Sequence, residues 1–348
     1  MSDLKNMIYD GVHRLFNDFL SWENLKIYEK QPWPDELWEE FNKLGFTSIF
    51  NPDDQNGINA KWTDAQIILK ASGYHGVPLP IGESLASNWF ASRNAMILPD
   101  GHWAITDGHV EIDEKLNRVE FKNLDVAWGR YAKQLLHVDR RRITLIELDN
   151  NLSIEESVNL ANEPRDKING KGKVIESVET KLTENPLHWV GSLIRSCQIA
   201  GGAGQTLDLS LKYSKDREQF GRPISKFQTI QNYLADLAGL SASLDAISIA
   251  AANDLDLYGL SENSNALITV AAAKCRSSEG VEKVTKLSHQ VHGAIGFTYE
   301  YGLHFYTKRL WSWRDEYGSA AEWGSFLGNI ALEYNTDNIW PLVTNEEV

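Results

Sequence analysis

From Val190 onward, apolar side chains return every three or four residues: Val190, Leu193, Ile194, Cys197, Ala200, Gly204, Leu207 and Leu211. That spacing places them on one stripe of a 3.6-residue helix, so a long amphipathic helix is expected to arrive at Tyr213. Gly221 suits the left-handed residue that closes a helix, and Pro223 cannot continue one. Ile230, Leu234, Leu237, Leu244, Ile247, Ala251 and Leu255 then mark a second long helix. The two meet in a tight corner carrying Arg217 and Gln219 before it and Gln228 after it. A third helix reads from roughly 264 to 290, with shorter ones around 301–313 and 319–331. These lengths suit an antiparallel bundle.

The N-terminal part is also helical. Ile8, Val12, Phe16 and Phe19 or Leu20 form one apolar face, and Pro34-Asp35-Glu36 opens a helix through Trp38, Phe41 and Leu44. After a turn-rich loop at 52–59, Thr63 is the expected cap of a helix containing Ala65, Ile68, Leu69 and Ala71. Gly76-Val-Pro-Leu-Pro-Ile reads as a stiff connector. From about 98 the period changes to two. Trp103-Ala-Ile-Thr, Val110-Glu-Ile, Val119-Glu-Phe, the run 134–138 and the run 142–148 alternate or are β-branched, divided by Gly, Asp and Asn. A small all-β unit is expected there, ending in a polar segment near 162–172. The pattern therefore predicts an α+β multi-domain chain: helices over 1–85, a middle β domain over 86–185, and helices over 186–348.

Composition narrows the partners. Against 34 basic residues stand 48 acidic ones, a net charge of −14, which argues against nucleic acid or an anionic membrane. The two cysteines, Cys197 and Cys275, lie on apolar helical stretches and read as free thiols of a reducing cytoplasm. No signal peptide is evident, and no run is expected to reach the length of a membrane span. Twelve tryptophans imply large aromatic contacts, part of them at subunit interfaces. The run Arg140-Arg141-Arg142 is expected to be a charged edge or hairpin end ahead of a phosphate contact.

An isolated Arg-x-x-Phe-Gly would be an ordinary helix-end cation with a packed aromatic. The full spacing from Arg217 is more specific: Arg-x-Gln-Phe-Gly-x-Pro-Ile-x-x-Phe-Gln-x-x-Gln-x-x-Leu-Ala resembles the signature of the acyl-CoA dehydrogenase family. A second stretch in the right order, Gln290-Val-His-Gly-Ala-Ile-Gly-Phe-Thr-Tyr-Glu, carries the same resemblance. It implies a helical N-terminal domain, a small middle β-barrel or sandwich, and a C-terminal antiparallel four-helix bundle. It also implies α,β-desaturation of an acyl-CoA thioester, with FAD held across a subunit boundary as hydride acceptor.

Three groups of residues follow from the resemblance. The first would cradle the ADP part of a neighbouring subunit's FAD. Arg217 matches the arginine that pairs with the diphosphate, and its planar fork suits phosphate oxygens. Gln219, Phe220 and Gln228 match neighbouring positions, while Gln290, Gly293 and Ala294 match residues against the AMP end. Ala294 stands where glycine is usual, and His292 is either a phosphate donor or a packed histidine. The second group faces the flavin. Thr106, in Ile105-Thr-Asp-Gly, matches a contact to the flavin edge, but the usual Trp-Ile-Thr falls on Leu124-Asp125-Val126. The third is the catalytic carboxylate. The usual position is occupied by Tyr317, and a phenol with a pKa near ~10 is a poor base at neutral pH. The other position used in the family falls near Gly191, with Ser192 and Arg195 beside it. Glu316 remains a weak candidate, its plainer reading being an acidic helix end.

An intact cradle with a poor flavin face and no base implies a chain that serves a catalytically complete partner. Such short, β-type subunits join longer chains in α2β2 heterotetramers, several of them in steroid side-chain breakdown, and Thr307-Lys-Arg-Leu-Trp resembles them too. The expected partners are thus an acyl-CoA, a longer acyl-CoA dehydrogenase subunit and an electron-transferring flavoprotein. Two alternatives stay open: a homo-oligomeric enzyme with Glu316 as displaced base and Trp128 over the flavin, and a flavin-free scaffold subunit.

Overall fold

The computed structural model describes residues 3–31, 33–99, 101–262 and 264–333; the stretch 334–348 of the expected C-terminal unit lies outside them. Five helices come first: α1 (Asp3–Phe19), α2 (Trp22–Tyr28), α3 (Asp35–Lys43), α4 (Trp62–His75) and α5 (Ile81–Arg93). Ile8, Val12, Leu15 and Phe16 give α1 the buried face its periodicity predicts. Helix α4 starts one residue earlier than its expected cap. The Asp256 carboxylate, from far along the chain, accepts the N–H groups of Trp62 (2.7 Å) and Thr63 (3.0 Å) that the helix leaves unpaired. Helix α5 was not expected. Eleven of its residues are buried around the whole circumference, so no apolar stripe shows, and the boundary drawn at 85 falls inside it.

Seven strands follow: β1 (Trp103–Thr106), β2 (Glu111–Asp113), β3 (Arg118–Ala127), β4 (Gln134–Val138), β5 (Arg142–Leu148), β6 (Ser153–Glu155) and β7 (Arg165–Glu179). They form one hydrogen-bonded sheet in the order β1-β4-β5-β7-β3-β2, with β6 on β7. Among the described residues no pairing joins β1 to β2, so this is an open sheet where a barrel or sandwich was expected. Only β1–β4 is parallel. The period of two sorts the side chains: Ile105, Leu136 and Leu145 join the helical core, while Ala104, Leu135 and Ile146 fill the opposite face. The 15-residue β7 lies where a polar segment was to end the unit; it pairs with β3, β5 and β6.

The remaining helices are α6 (Pro186–Asp216), α7 (Gln228–Tyr258), α8 (Asn265–His292), α9 (Leu303–Asp315) and α10 (Ala320–Glu333). Two-residue strands β8 (Glu218–Gln219) and β9 (Arg222–Pro223) make the corner between α6 and α7. The three long helices pack side by side, with α9 across α6 and α8 and α10 on α8. Helices α4 and α6 cross at backbone distance. A Cβ at Gly73 would lie 2.0 Å from the Gln198 carbonyl oxygen, and one at Gly201 would lie 1.9 Å from that of Lys70. One apolar core runs from α1 through the sheet face to Trp323 of α10, and the tryptophans Trp62, Trp89, Trp103, Trp128, Trp189 and Trp313 are all buried inside the chain. The expectation about membrane spans needs correcting at α7. Its 31 residues are long and apolar enough to cross a bilayer by length and composition. Leu237, Leu244, Ala251 and Leu255 are nevertheless buried within the protein, and a bundle helix passes the same test.

Candidate functional site

The corner that carries Arg217 is a miniature β-hairpin. Helix α6 stops at Arg217, whose backbone is extended (φ −83°, ψ 119°), and the Ile224 N–H returns to its carbonyl at 2.8 Å. Phe220 and Gly221 both have positive φ, 53° and 78°, as a two-residue type I′ turn requires. Glycine suits that region; Phe220 bears a strain of about 1–2 kcal/mol there. Its ring is 93% exposed, meets Phe227 edge-on at 6.1 Å, and Phe227 in turn lies 4.4 Å under the Arg222 guanidinium. Arg217, Gln219 and Gln228 are exposed, and among the described residues Arg217 makes no ion pair. Gln219 turns its amide onto the neighbouring Glu218 carbonyl at 2.7 Å. Helix α7 begins at Gln228 with no side-chain cap and no acid in its first turn, so its first N–H groups point outward unpaired.

The second motif reaches the same end of the bundle. Tyr213, one turn before Arg217, stacks on His292 at 4.8 Å, and Tyr301 closes on both rings. His292 is thus the packed histidine of the two readings: it is buried, its Nδ1 lies 2.7 Å from the Ser288 carbonyl, and burial lowers its pKa. Gln290, Gly293 and Ala294 are exposed at the end of α8. Gly293 has φ 63°, and nothing lies within 4 Å of where its Cβ would be.

The flavin-edge candidate lies elsewhere. Thr106 is buried at the end of β1, where its hydroxyl accepts from the Gly108 N–H (3.1 Å) and donates to the Asp125 carbonyl (3.3 Å). It lines a cavity of about 250 Å³ together with Asp125, Arg165, Arg195, Glu316 and Tyr317. Leu124 and Val126 point into the sheet core. Trp128 is also buried, held in an aromatic cluster with Trp33 and Tyr131.

At the expected position of the base, Tyr317 lies on α6. A Cβ on Gly191 would sit 2.4 Å from its ring, Ser192 donates to its carbonyl at 2.7 Å, and burial raises the phenol pKa well above the ordinary value. Glu316 faces two guanidiniums: Arg195 Nε at 2.7 Å, and Arg165 Nε and Nη2 both at 3.0 Å. Burial alone would raise its pKa, but Arg165 and then Arg195 overturn that and hold it at about 2. Arg195 also pairs with buried Glu83 of α5, while Arg165 and Arg309 (3.4 Å) pair with Glu163. Lys274 of α8 is fully buried beneath this turn and donates to the carbonyls of Arg314 (2.6 Å) and Gly318 (2.8 Å) and to Ser278 Oγ (2.9 Å). Burial lowers its pKa to about 7.

Reasoning from the sequence passed over Glu83, Glu163, Arg309 and Lys274. The available signal was a charge set within an apolar helical run, as in Ile81-Gly-Glu-Ser-Leu. The basic run behaves as a charged edge: Arg140 pairs with Glu184 and Glu262, and Arg142 with Glu114.

Helices at both ends of the chain around a central sheet, with two motifs meeting at one end of a helical bundle, define an acyl-CoA-dehydrogenase type of fold. The C-terminal domain profile of acyl-CoA dehydrogenases matches residues 191–313. The acyl-CoA dehydrogenase IpdE2 of Mycobacterium tuberculosis is 32% identical over 284 residues, covering 79% of this chain and 80% of that protein. Its namesake from Mycolicibacterium smegmatis is 27% identical over 319 residues, covering 89% and 93%. A chain of the ChsE4–ChsE5 complex from Mycobacterium tuberculosis shares the fold, with a TM-score of 0.80 at 18% identity over 96% of this chain and 99% of that one. The chain belongs to the acyl-CoA dehydrogenase family, flavin-dependent oxidoreductases that act on the CH–CH bond of CoA thioesters.

Proposed function

We propose that this chain is the smaller subunit of a hetero-oligomeric, FAD-dependent acyl-CoA dehydrogenase, an α2β2 assembly in which it supplies a nucleotide cradle and no catalytic base. The observation that carries this reading is the state of Glu316 and Tyr317. A carboxylate held at about 2 by two guanidiniums has little affinity for an α-proton, and the phenol that stands for the usual base is half-buried, packed against Gly191, with a raised pKa. Glu316 is in this reading a structural anion, and Trp128, already packed, does not cover a flavin.

The hairpin end has the opposite character and fits the adenosine diphosphate half of FAD. An unpaired Arg217, the open N-terminus of α7 and the empty space over Gly293 suit an anion approached by backbone. Bound FAD would supply the hydride acceptor that no side chain can provide. In this chain Arg217 would hold the diphosphate, Gln228 and the segment 290–294 would orient it, and exposed Phe220 would exclude water from the contact. The α-proton must then leave to a carboxylate that a longer partner chain provides. That one fold neighbour is a two-chain complex supports such an assembly. A cytoplasmic setting and an electron-transferring flavoprotein as acceptor complete the reading.

Co-expression with a longer dehydrogenase chain tests it. The expected result is a colourless chain when purified alone and a yellow complex that reduces a dye with acyl-CoA. Arg217→Ala should lower the FAD affinity of the complex roughly 10–100-fold, the loss of a charge-assisted contact. A yellow homo-oligomer with dye-reducing activity would overturn the proposal, and unchanged FAD content in Arg217→Ala would favour a flavin-free scaffold.

A further inference from the structure

Six charged side chains meet where three parts of the fold touch. Glu83 comes from α5, Glu163 and Arg165 from the entry to β7, Arg195 from α6, and Arg309 and Glu316 from α9 and its end. The pairs form an unbroken series: Glu83–Arg195, Arg195–Glu316 (2.7 Å), Glu316–Arg165 (2.9 Å), Arg165–Glu163 (3.1 Å) and Glu163–Arg309 (3.4 Å). Three carboxylates face three guanidiniums, so the set is neutral. Neutral donors and acceptors complete it: Asn159 and Trp313 donate to Glu316 and Glu163, and Gln198 accepts from Arg195. Glu83, Glu163, Arg195 and Arg309 are each at most 5% exposed.

Burying four of these charges and half-burying Arg165 and Glu316 is costly, and an apolar filling of the same volume would serve stability as well or better. What charges add is register, because each guanidinium fork accepts its carboxylate in few geometries. We infer that this series is a three-way clamp, which fixes the N-terminal helices, the sheet and the long helices against one another through direct ion pairs. Arg195 is its hub: among the described residues it alone pairs with the α5 carboxylate, and it shares Glu316 with the arginine that enters the sheet. Lys274 fixes the turn that presents Glu316. The clamp stands on contacts within one chain and does not rest on the cradle reading.

Urea unfolding and hydrogen exchange on the purified full-length chain test it. Arg195→Met should raise the unfolding equilibrium constant by about a hundredfold or more, since it leaves two carboxylates short of a partner. Glu83→Gln alone should also destabilise. The double variant, which leaves two pairs in balance, should be no worse than Arg195→Met alone. Exchange in Arg195→Met should accelerate in α5 and also over 159–168, which Arg195 does not touch. If Arg195→Met fails to fold, Arg195→Lys, which keeps the charge and loses the fork, takes its place with the same expected spread. Additive single effects, or acceleration confined to α5 and α6, would overturn the clamp while leaving the FAD test untouched.

Discussion

The two ends of α6 were built for opposite conditions. At its C-terminal end Arg217 is exposed and makes no ion pair among the described residues, Phe220 is almost wholly in water, and α7 opens without a side-chain cap. Near its start Arg195 is buried, bonded on two sides, and surrounded by a balanced set of charges. Each side chain of the first region would gain from contact with something else. Each of the second already faces an opposite charge. Residue type alone does not separate them, since both regions are centred on an arginine of one helix; burial and the partners at hand decide. The lesson is that a charge inside a fold reports completed chemistry, whereas the same charge left bare on a strained turn reports chemistry awaiting a partner.

Acid should break the closed region first. Glu316 is lowered from an ordinary 4.5 to about 2, so the stability it contributes is fully present above 4.5 and is lost as pH falls toward about 2. The loss should be on the order of 2–3 kcal/mol, measured by urea midpoints across that window, and Glu316→Gln should make the slope shallower while leaving the share of Glu83, whose pKa is also lowered. Lys274→Met comes next. It removes the donor from the Arg314 and Gly318 carbonyls, which should cost about 2–3 kcal/mol in thermal or urea melts. Lys274 also has a pH dependence, of the same sign but in a higher window. Between about 7 and 10.5 the unfolded chain keeps a proton there that the folded chain has shed, so stability should climb with pH, and the Met variant should lack the climb.

On the open side the same measurement should barely move. Arg217→Ala should leave the melting of the chain alone unchanged, sharpening the contrast with Arg195. Gly293→Ala should have a small effect, though a larger one than Arg217→Ala. A methyl there meets no neighbour, so only the left-handed backbone at φ 63° objects, by about 1 kcal/mol in a thermal melt.

The long helices were legible because apolar residues recur along them at helical spacing, although the first half of α6 is buried on every side, and β1 to β5 because their short apolar or β-branched runs are divided by Gly, Asp and Asn. Helix α5 was not, because a helix buried all round carries no period. Strand β7 was hidden by its own charges: Lys167, Lys171 and Lys173 face solvent while Asp166, Ile168 and Gly172 point inward or pack close. The hairpin residues could be named from their order in the chain. The clamp could not, since Glu83 and Arg195 lie 112 positions apart and no local pattern tells a buried ion from a solvated one.

The corner between α6 and α7 has one more consequence. The hairpin within it turns on only two residues, Phe220 and Gly221, so it has little slack, and its arms are already hydrogen-bonded to each other before anything binds. Whatever seats against it therefore meets a finished shape, and little ordering entropy remains to be lost at the encounter. Docking there should be a fast, rigid-body event governed by collision and charge, with the slow steps of assembly lying elsewhere.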